Sequence, residues 1–246
     1  MKIHSYGATH SGQVRLANED AFFLSDVHHV YAVADGIGGL PGGAQASERI
    51  VSLLQRAYQI LDKDPARHDL GELVRQINQI ITKEVHIAHP ETGAGSTLTL
   101  AQIQRDELHI AHVGDSAAYI YHQGHLEKLT TDHTMEEELI RAHGADAHST
   151  MPPEYAHTLT RCIGQINELV IDLTQVQLAP QDKLLFCTDG LNKVIGDDVM
   201  EEILESNDCP QAICQSMINA ANAMLGPDNI TVIVAVIEAL DPATKG

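Results

Sequence analysis

Ser96-Thr97-Leu98-Thr99-Leu100-Ala101-Gln102-Ile103, then Gln104-Arg105-Asp106-Glu107, then Leu108-His109-Ile110-Ala111-His112-Val113 decide what fold this chain can adopt. Two β-rich runs separated by a short polar segment are at hairpin distance, too close for the crossover that parallel strands require. The pattern repeats downstream. Gly114-Asp115-Ser116 leads into Ala117-Ala118-Tyr119-Ile120-Tyr121, and His122-Gln123-Gly124-His125 offers a second hairpin turn. Further strand signals lie at 31–34, 171–177, 183–187 and 230–238, with a weaker pair at 5–9 and 21–24.

Helical periodicity covers 44–60 through Ile50, Leu53, Leu54 and Ala57, and 70–87 through Leu73, Ile77, Ile80, Ile81 and Val85. A short helix is expected at 199–204 with Asp197 or Asp198 as its N-cap. Another is expected at 211–225, with Asp208 as cap, Pro210 in the first turn and Gly226-Pro227 at its end. Residues 130–155 read as a surface excursion containing a helix near 136–142. Strands, a helix pair, a meander, more strands, a second helix pair and a last strand make an α+β chain of antiparallel sheets covered by paired helices. The absence of a linker or an internal repeat predicts a single domain over 1–246.

Composition narrows the function. Fifteen Lys+Arg against 34 Asp+Glu give a formal charge of -19 over 246 residues, which disfavours nucleic acid and anionic membrane surfaces as partners. Fifteen histidines would change that surface below about pH 6. The longest strongly apolar run, 230–237, is strand length, and the first residues carry no leader pattern. Cys162, Cys187, Cys209 and Cys214 show no CxxC spacing, so a reduced, cytoplasmic protein is expected.

Chemistry concentrates where apolar runs end. Ala34-Asp35-Gly36, Gly114-Asp115-Ser116 and Thr188-Asp189-Gly190 each place an aspartate at a strand end, and Asp228 immediately precedes the strand at 230–238. Singly, each is ordinary turn chemistry. Together at one sheet edge they would repel one another unless a cation lies between them. Few Lys or Arg stand near these motifs, so a divalent metal is the economical counter-charge, and all-oxygen donors select Mg²⁺ or Mn²⁺ over zinc. The histidines lack zinc spacing: His86/His89 and His109/His112 read as surface or packing residues.

Gly36-Ile37-Gly38-Gly39-Leu40-Pro41-Gly42-Gly43 could cradle a phosphate, and a dinucleotide-binding oxidoreductase is the corresponding alternative. It lacks a Lys-Ser/Thr pair and a following parallel strand, and Asp35 would repel a pyrophosphate. The glycines better serve close backbone approach to a metal. Arg15, ahead of Asn18-Glu19-Asp20, suits bidentate contact with a phosphoryl group, or else pairs with Glu19 on the surface.

These pieces occur in the order of a known family. Residues 12–21, Val33 to Gly39, Gly95-Ser96-Thr97, Val113 to Ser116, Thr130 to Thr134, Leu159 to Gly164, Thr188-Asp189-Gly190 and Asp228 to Thr231 span nearly the whole chain. The chain resembles the PPM family, the metal-dependent protein phosphatases of type 2C, in its bacterial form. The resemblance implies a four-layer α-β-β-α sandwich with a cleft at one edge of two mainly antiparallel sheets. It implies that Asp35 bridges two Mn²⁺ or Mg²⁺ ions, that the Gly36 carbonyl joins one of them, and that Asp189 and Asp228 complete the pair. Glu19 and Asp20 would act partly through bound waters, Asp115 with Asp189 would hold a third, weaker ion, and Arg15 would grip the substrate phosphate. A bridging hydroxide would attack phosphorus in line, with no phospho-enzyme.

Two departures bear on the proton donor. Many members carry His where this chain has Ile37 or Leu40. The leaving alkoxide would then take its proton from water or from a histidine elsewhere, such as His133 or His157. Residues 130–163 correspond to the family's flap, and Leu40-Pro41 resembles phosphatases associated with type VI secretion. The expected function is hydrolysis of protein phosphoserine and phosphothreonine by a monomer opposing a serine/threonine kinase in bacterial signalling. The alternative within the fold is an inactive phosphopeptide-binding adaptor.

Overall fold

The computed structural model describes residues 1–37, 42–60, 69–88, 94–144, 151–206 and 209–240, and all but the side chain of His86 among them. The expectations placed on Gly38, Gly39, Leu40, Pro41, His89 and Asp208, and on the His86 side chain, fall outside it.

Ten strands form two five-stranded sheets, each antiparallel throughout. The first sheet holds, from edge to edge, β1 (Lys2–His10), β10 (Ile230–Ala239), β9 (Lys183–Cys187), β6 (Ala117–His122) and β7 (His125–Lys128). The second holds β2 (Asp20–Ser25), β3 (Val30–Asp35), β4 (Leu98–Gln104), β5 (Glu107–Val113) and β8 (Asp172–Gln177). Among the described residues no strand is paired in parallel, which is not the sheet of a dinucleotide-binding fold.

Strand alternation builds the layers. On β3, Tyr31 and Val33 face the opposing sheet, while Val30, Ala32 and Ala34 face α1 (Gly43–Ile60) and α2 (Leu70–Ala88) through Ile50, Leu54, Val74 and Ile77. On β10, Ile233, Ala235 and Ile237 point into the middle layer. Val232, Val234 and Val236 on the same strand meet Met200 of α5 (Asp197–Ser206) and Met217 of α6 (Pro210–Ala223). Three apolar layers separated by two sheets give the expected α-β-β-α sandwich. Tyr31 and Phe186 stack across the middle layer with ring centroids 5.5 Å apart.

Several boundaries differ from expectation. Strand β7 was visible only as the far side of a hairpin turn, because Leu126 is its lone apolar residue. Its charged residues suit a sheet edge that must not pair further. Asp197 and Asp198 lie inside the first turn of α5 rather than capping it, where carboxylates complement the helix dipole. Helix α6 starts at Pro210 after Cys209 and stops at Ala223, short of the expected 225. The excursion holds α3 (Met135–His143), begun by Thr134, whose hydroxyl accepts from the Glu137 N–H, and a 3₁₀ turn at Pro153–His157 that periodicity does not reveal. The four-residue helix α4 (Asp189–Asn192) was also unread.

Candidate active site

The chain folds so that two carboxylates from each sheet meet at one edge. Asp20 and Asp35 are directly opposite in the β2–β3 ladder, an arrangement of like charges that is destabilising in isolation. Asp189 follows β9 and Asp228 precedes β10, the central pair of the other sheet. Hydroxyls tie the sheets together here: Thr188 and Thr231 both donate to Asp20 Oδ2, at 2.8 and 2.7 Å. The other oxygen of Asp20, Oδ1, is buried without a partner.

Two glycines allow the approach. A side chain at Gly36 would collide with the backbone of Gly43 and the Glu19 carbonyl, and one at Gly190 would collide with the Asn229 carbonyl. Asn229 fastens the N-terminal arm. Its Oδ1 accepts from the Glu19 N–H at 2.8 Å, and its Nδ2 donates to the Ser11 and Ala17 carbonyls. Asp35 is held through its backbone, whose N–H donates to Thr97 Oγ1 and whose carbonyl accepts from the Thr97 N–H.

The result is a cleft of about 570 Å³, lined by Arg15, Glu19, Asp35, Gly36, Asp189 and Asp228 among others. Burial, followed by the neighbouring Asp20, Asp189, Asp115 and Asp228, pushes Asp35 well above the usual carboxylate range. Burial likewise raises Asp20 to about 7 against the pull of its two threonines. Asp189 runs the other way, down to about 2: burial opposes ionisation, but contacts from His157, Lys193 and Asp35 outweigh it.

All-oxygen donors, an orphaned buried oxygen at Asp20 and hydrogen-bond contact between the Asp35 and Asp189 carboxylates are what a hard divalent cation needs. Among the described residues no group of three or more acidic, His or Cys side chains is already drawn into one coordination shell. The reason lies in the partners. Arg15 Nη2 holds Asp228 Oδ2 at 2.7 Å, and Lys193 Nζ lies 2.5 Å from Asp115 Oδ2 and 3.2 Å from Asp189 Oδ2.

Thus the expectation that cations are scarce beside these motifs is corrected: Lys193 was missed. It follows Asp189 by four positions, a helical spacing whose meaning depends on α4 being a helix. Arg15 pairs with Asp228, not Glu19.

The two histidines considered as proton donors part company. His133 is buried: the Gly114 N–H donates to its Nδ1, and its Nε2 lies 3.1 Å from Arg161 Nη1 and 3.2 Å from Asp172 Oδ2, so both ring nitrogens are engaged. His157 lines the cleft, 3.8 Å from Asp189 Oδ2, and that carboxylate raises its pKa. His112 is a packing residue, bonded to Thr99 and to the Thr131 carbonyl, while His109 pairs with Glu107 at the surface. Burial pushes the thiols of Cys187 and Cys214 up to about 12 and raises Cys162 as well, so these thiols are protonated rather than nucleophilic.

Residues 6–224 match the family model described as Protein phosphatase 2C. The serine/threonine phosphatase stp of Listeria monocytogenes is 31% identical over 239 residues, covering 94% of this chain and 95% of that protein. Among solved structures, PppA, a regulatory component of the type VI secretion system in Pseudomonas aeruginosa, superposes with a TM-score of 0.81. It has 28% identity over 96% of this chain and 97% of its own. The catalytic domain of the serine/threonine protein phosphatase PstP, in complex with two manganese ions, gives a TM-score of 0.81 and 30% identity over 96% and 99%.

Proposed function

Since the chain belongs to the protein phosphatase 2C family, we propose that its carboxylate cleft hydrolyses phosphoserine and phosphothreonine in proteins with divalent cations as cofactors. The observation that carries the reading is the meeting of Asp35, Asp189 and Asp228 in one cleft with an arginine at its rim, backed by Asp20, one of whose carboxylate oxygens is buried without a partner. Two Mn²⁺ or Mg²⁺ ions supply an activated water at neutral pH and neutralise charge on the phosphoryl oxygens when bound. Asp35, Asp189, Asp228 and the Gly36 carbonyl are the donors that would hold them. Glu19 lines the same cleft, and Asp20 backs it from the β2–β3 ladder.

The chain's own residues do the rest. Arg15, paired with Asp228 but 44% exposed, presents its planar fork to the incoming phosphate and holds the equatorial oxygens. Ile37 keeps one wall apolar. His157 is the histidine placed to give the leaving alkoxide its proton, because His133 is locked beneath the cleft. Among the described residues that line the cleft there is no Cys or Ser to carry a phosphoryl group covalently.

The shared middle layer supports one phosphatase domain acting as a monomer. The likeness to PppA supports a place among phosphatases associated with type VI secretion. No helix among the described residues is long and apolar enough to cross a membrane. The net charge argues against nucleic-acid substrates.

The test is phosphate release from a phosphothreonine peptide, with Mn²⁺ and with EDTA, for wild type and Asp189→Asn. Turnover should require metal and collapse in the variant. Turnover that persists in EDTA would contradict the reading. Tight peptide binding without turnover under any metal would favour the phosphopeptide adaptor.

A further inference from the structure

Lys193 sits where the resemblance implies a third cation. Its ammonium has three N–H donors and three acceptors meet it: Asp115 Oδ2 at 2.5 Å, Asp189 Oδ2 at 3.2 Å and the Ala156 carbonyl at 2.9 Å. The side chain is only 19% exposed. Asp115, at 6% exposure, hangs from the β5–β6 turn, where Gly114 adopts a φ of +111°. The one-turn helix α4 carries Asp189 at its start and Lys193 as its C-cap. A divalent ion between these two carboxylates would have to displace a cation already saturated by hydrogen bonds, or lie beside it against like-charge repulsion. The Asp115–Asp189 pair therefore does not fit a third metal.

The third acceptor is as informative as the first two. Ala156 belongs to the 3₁₀ turn Pro153–His157 in the excursion over the cleft. Its neighbour His157 faces Asp189. One ammonium thus joins the catalytic edge of the sheets to the segment that forms the cleft's rim.

We infer that Lys193 is a built-in cation that takes the place of a third divalent ion at Asp115 and Asp189 and fixes the Pro153–His157 turn against the cleft. The inference rests on the reading that the remaining carboxylates hold two ions. Lys193 touches no reacting atom and is a positioning residue. Its function is to keep the rim in place without depending on a weak metal site.

The deciding experiment counts Mn²⁺ bound per chain by equilibrium dialysis, up to millimolar free metal, for wild type, Asp115→Asn and Lys193→Met. Lys193→Met keeps the hydrocarbon stem and removes the charge. Wild type and Asp115→Asn should both bind two ions, and Lys193→Met should bind a third, weaker one. Three ions in wild type, falling to two in Asp115→Asn, would overturn the inference even if Lys193→Met proved unable to fold. So would a count of two in folded Lys193→Met. Fewer than two in wild type would instead overturn the two-ion reading beneath it. Amide exchange at 154–157, measured in the same Mn²⁺-loaded proteins, should quicken at least tenfold in Lys193→Met. Unchanged exchange would remove the positioning role.

Discussion

Asp35→Asn is expected to lower metal-dependent phosphate release by about 10³-fold or more, equivalent to several kcal/mol of lost transition-state stabilisation, while making the metal-free protein more stable. The two effects share one cause. Burial and the neighbouring Asp20, directly opposite in the β2–β3 ladder, hold Asp35 well above the usual carboxylate range, so without a bound cation folding has to neutralise a carboxylate that is ionised in the unfolded chain. The amide is neutral in both states and still offers a donor towards Asp189, so that cost disappears. A gain of about 1–2 kcal/mol follows from removing that cost, or roughly 2–8 °C in Tm for a chain of this size. Thermal unfolding in EDTA, with and without added Mn²⁺, reads both halves. Wild type should gain stability from Mn²⁺ and Asp35→Asn should not. A variant that keeps wild-type turnover, or is less stable in EDTA, would show that this cost is not there.

Phe186→Ala is expected to be the most damaging single truncation away from the cleft, at about 3–5 kcal/mol. Phe186 is fully buried in the middle layer, stacked on Tyr31 of the facing sheet. Its strand, β9, runs directly into Thr188 and Asp189, while Tyr31 lies on the strand that ends in Asp35. The cavity left by the ring would loosen the contact that sets the spacing between the two halves of the site. Denaturant unfolding should show the midpoint falling with little change in slope, and activity should fall at temperatures where the variant remains folded. A loss below about 1 kcal/mol would mean that the sheets are held chiefly by their outer helices.

Much of this architecture is legible from residues alone because its signals are local. Hairpin-length connections predict antiparallel pairing, and β9 begins and ends at 183 and 187 as its apolar run does. Which face each residue of β3 and β10 takes does not follow from sequence, because both runs are buried on both sides. What local pattern hides is partnership over distance. Asp20 is held by Thr188 and Thr231, and Arg15 reaches Asp228 across 213 positions; neither pairing leaves a trace in spacing. Lys193 is hidden for a subtler reason. Asp189-Gly190-Leu191-Asn192 has turn chemistry, so the four-residue interval carries no helical meaning until the segment is seen to coil. The aspartates at strand ends were readable because topology sends such ends to a common edge. Their counter-charges, arriving from a loop and a one-turn helix, were not.

The central claim is that the sheet edge between Asp35, Asp189 and Asp228 is a two-cation site. Anomalous scattering from crystals of the wild-type protein grown with Mn²⁺, collected above and below the manganese edge, tests it most directly. Two peaks bounded by those three carboxylates and the Gly36 carbonyl are predicted. Manganese found only elsewhere on this acidic surface, with the cleft still closed by Arg15 and Lys193, would contradict it.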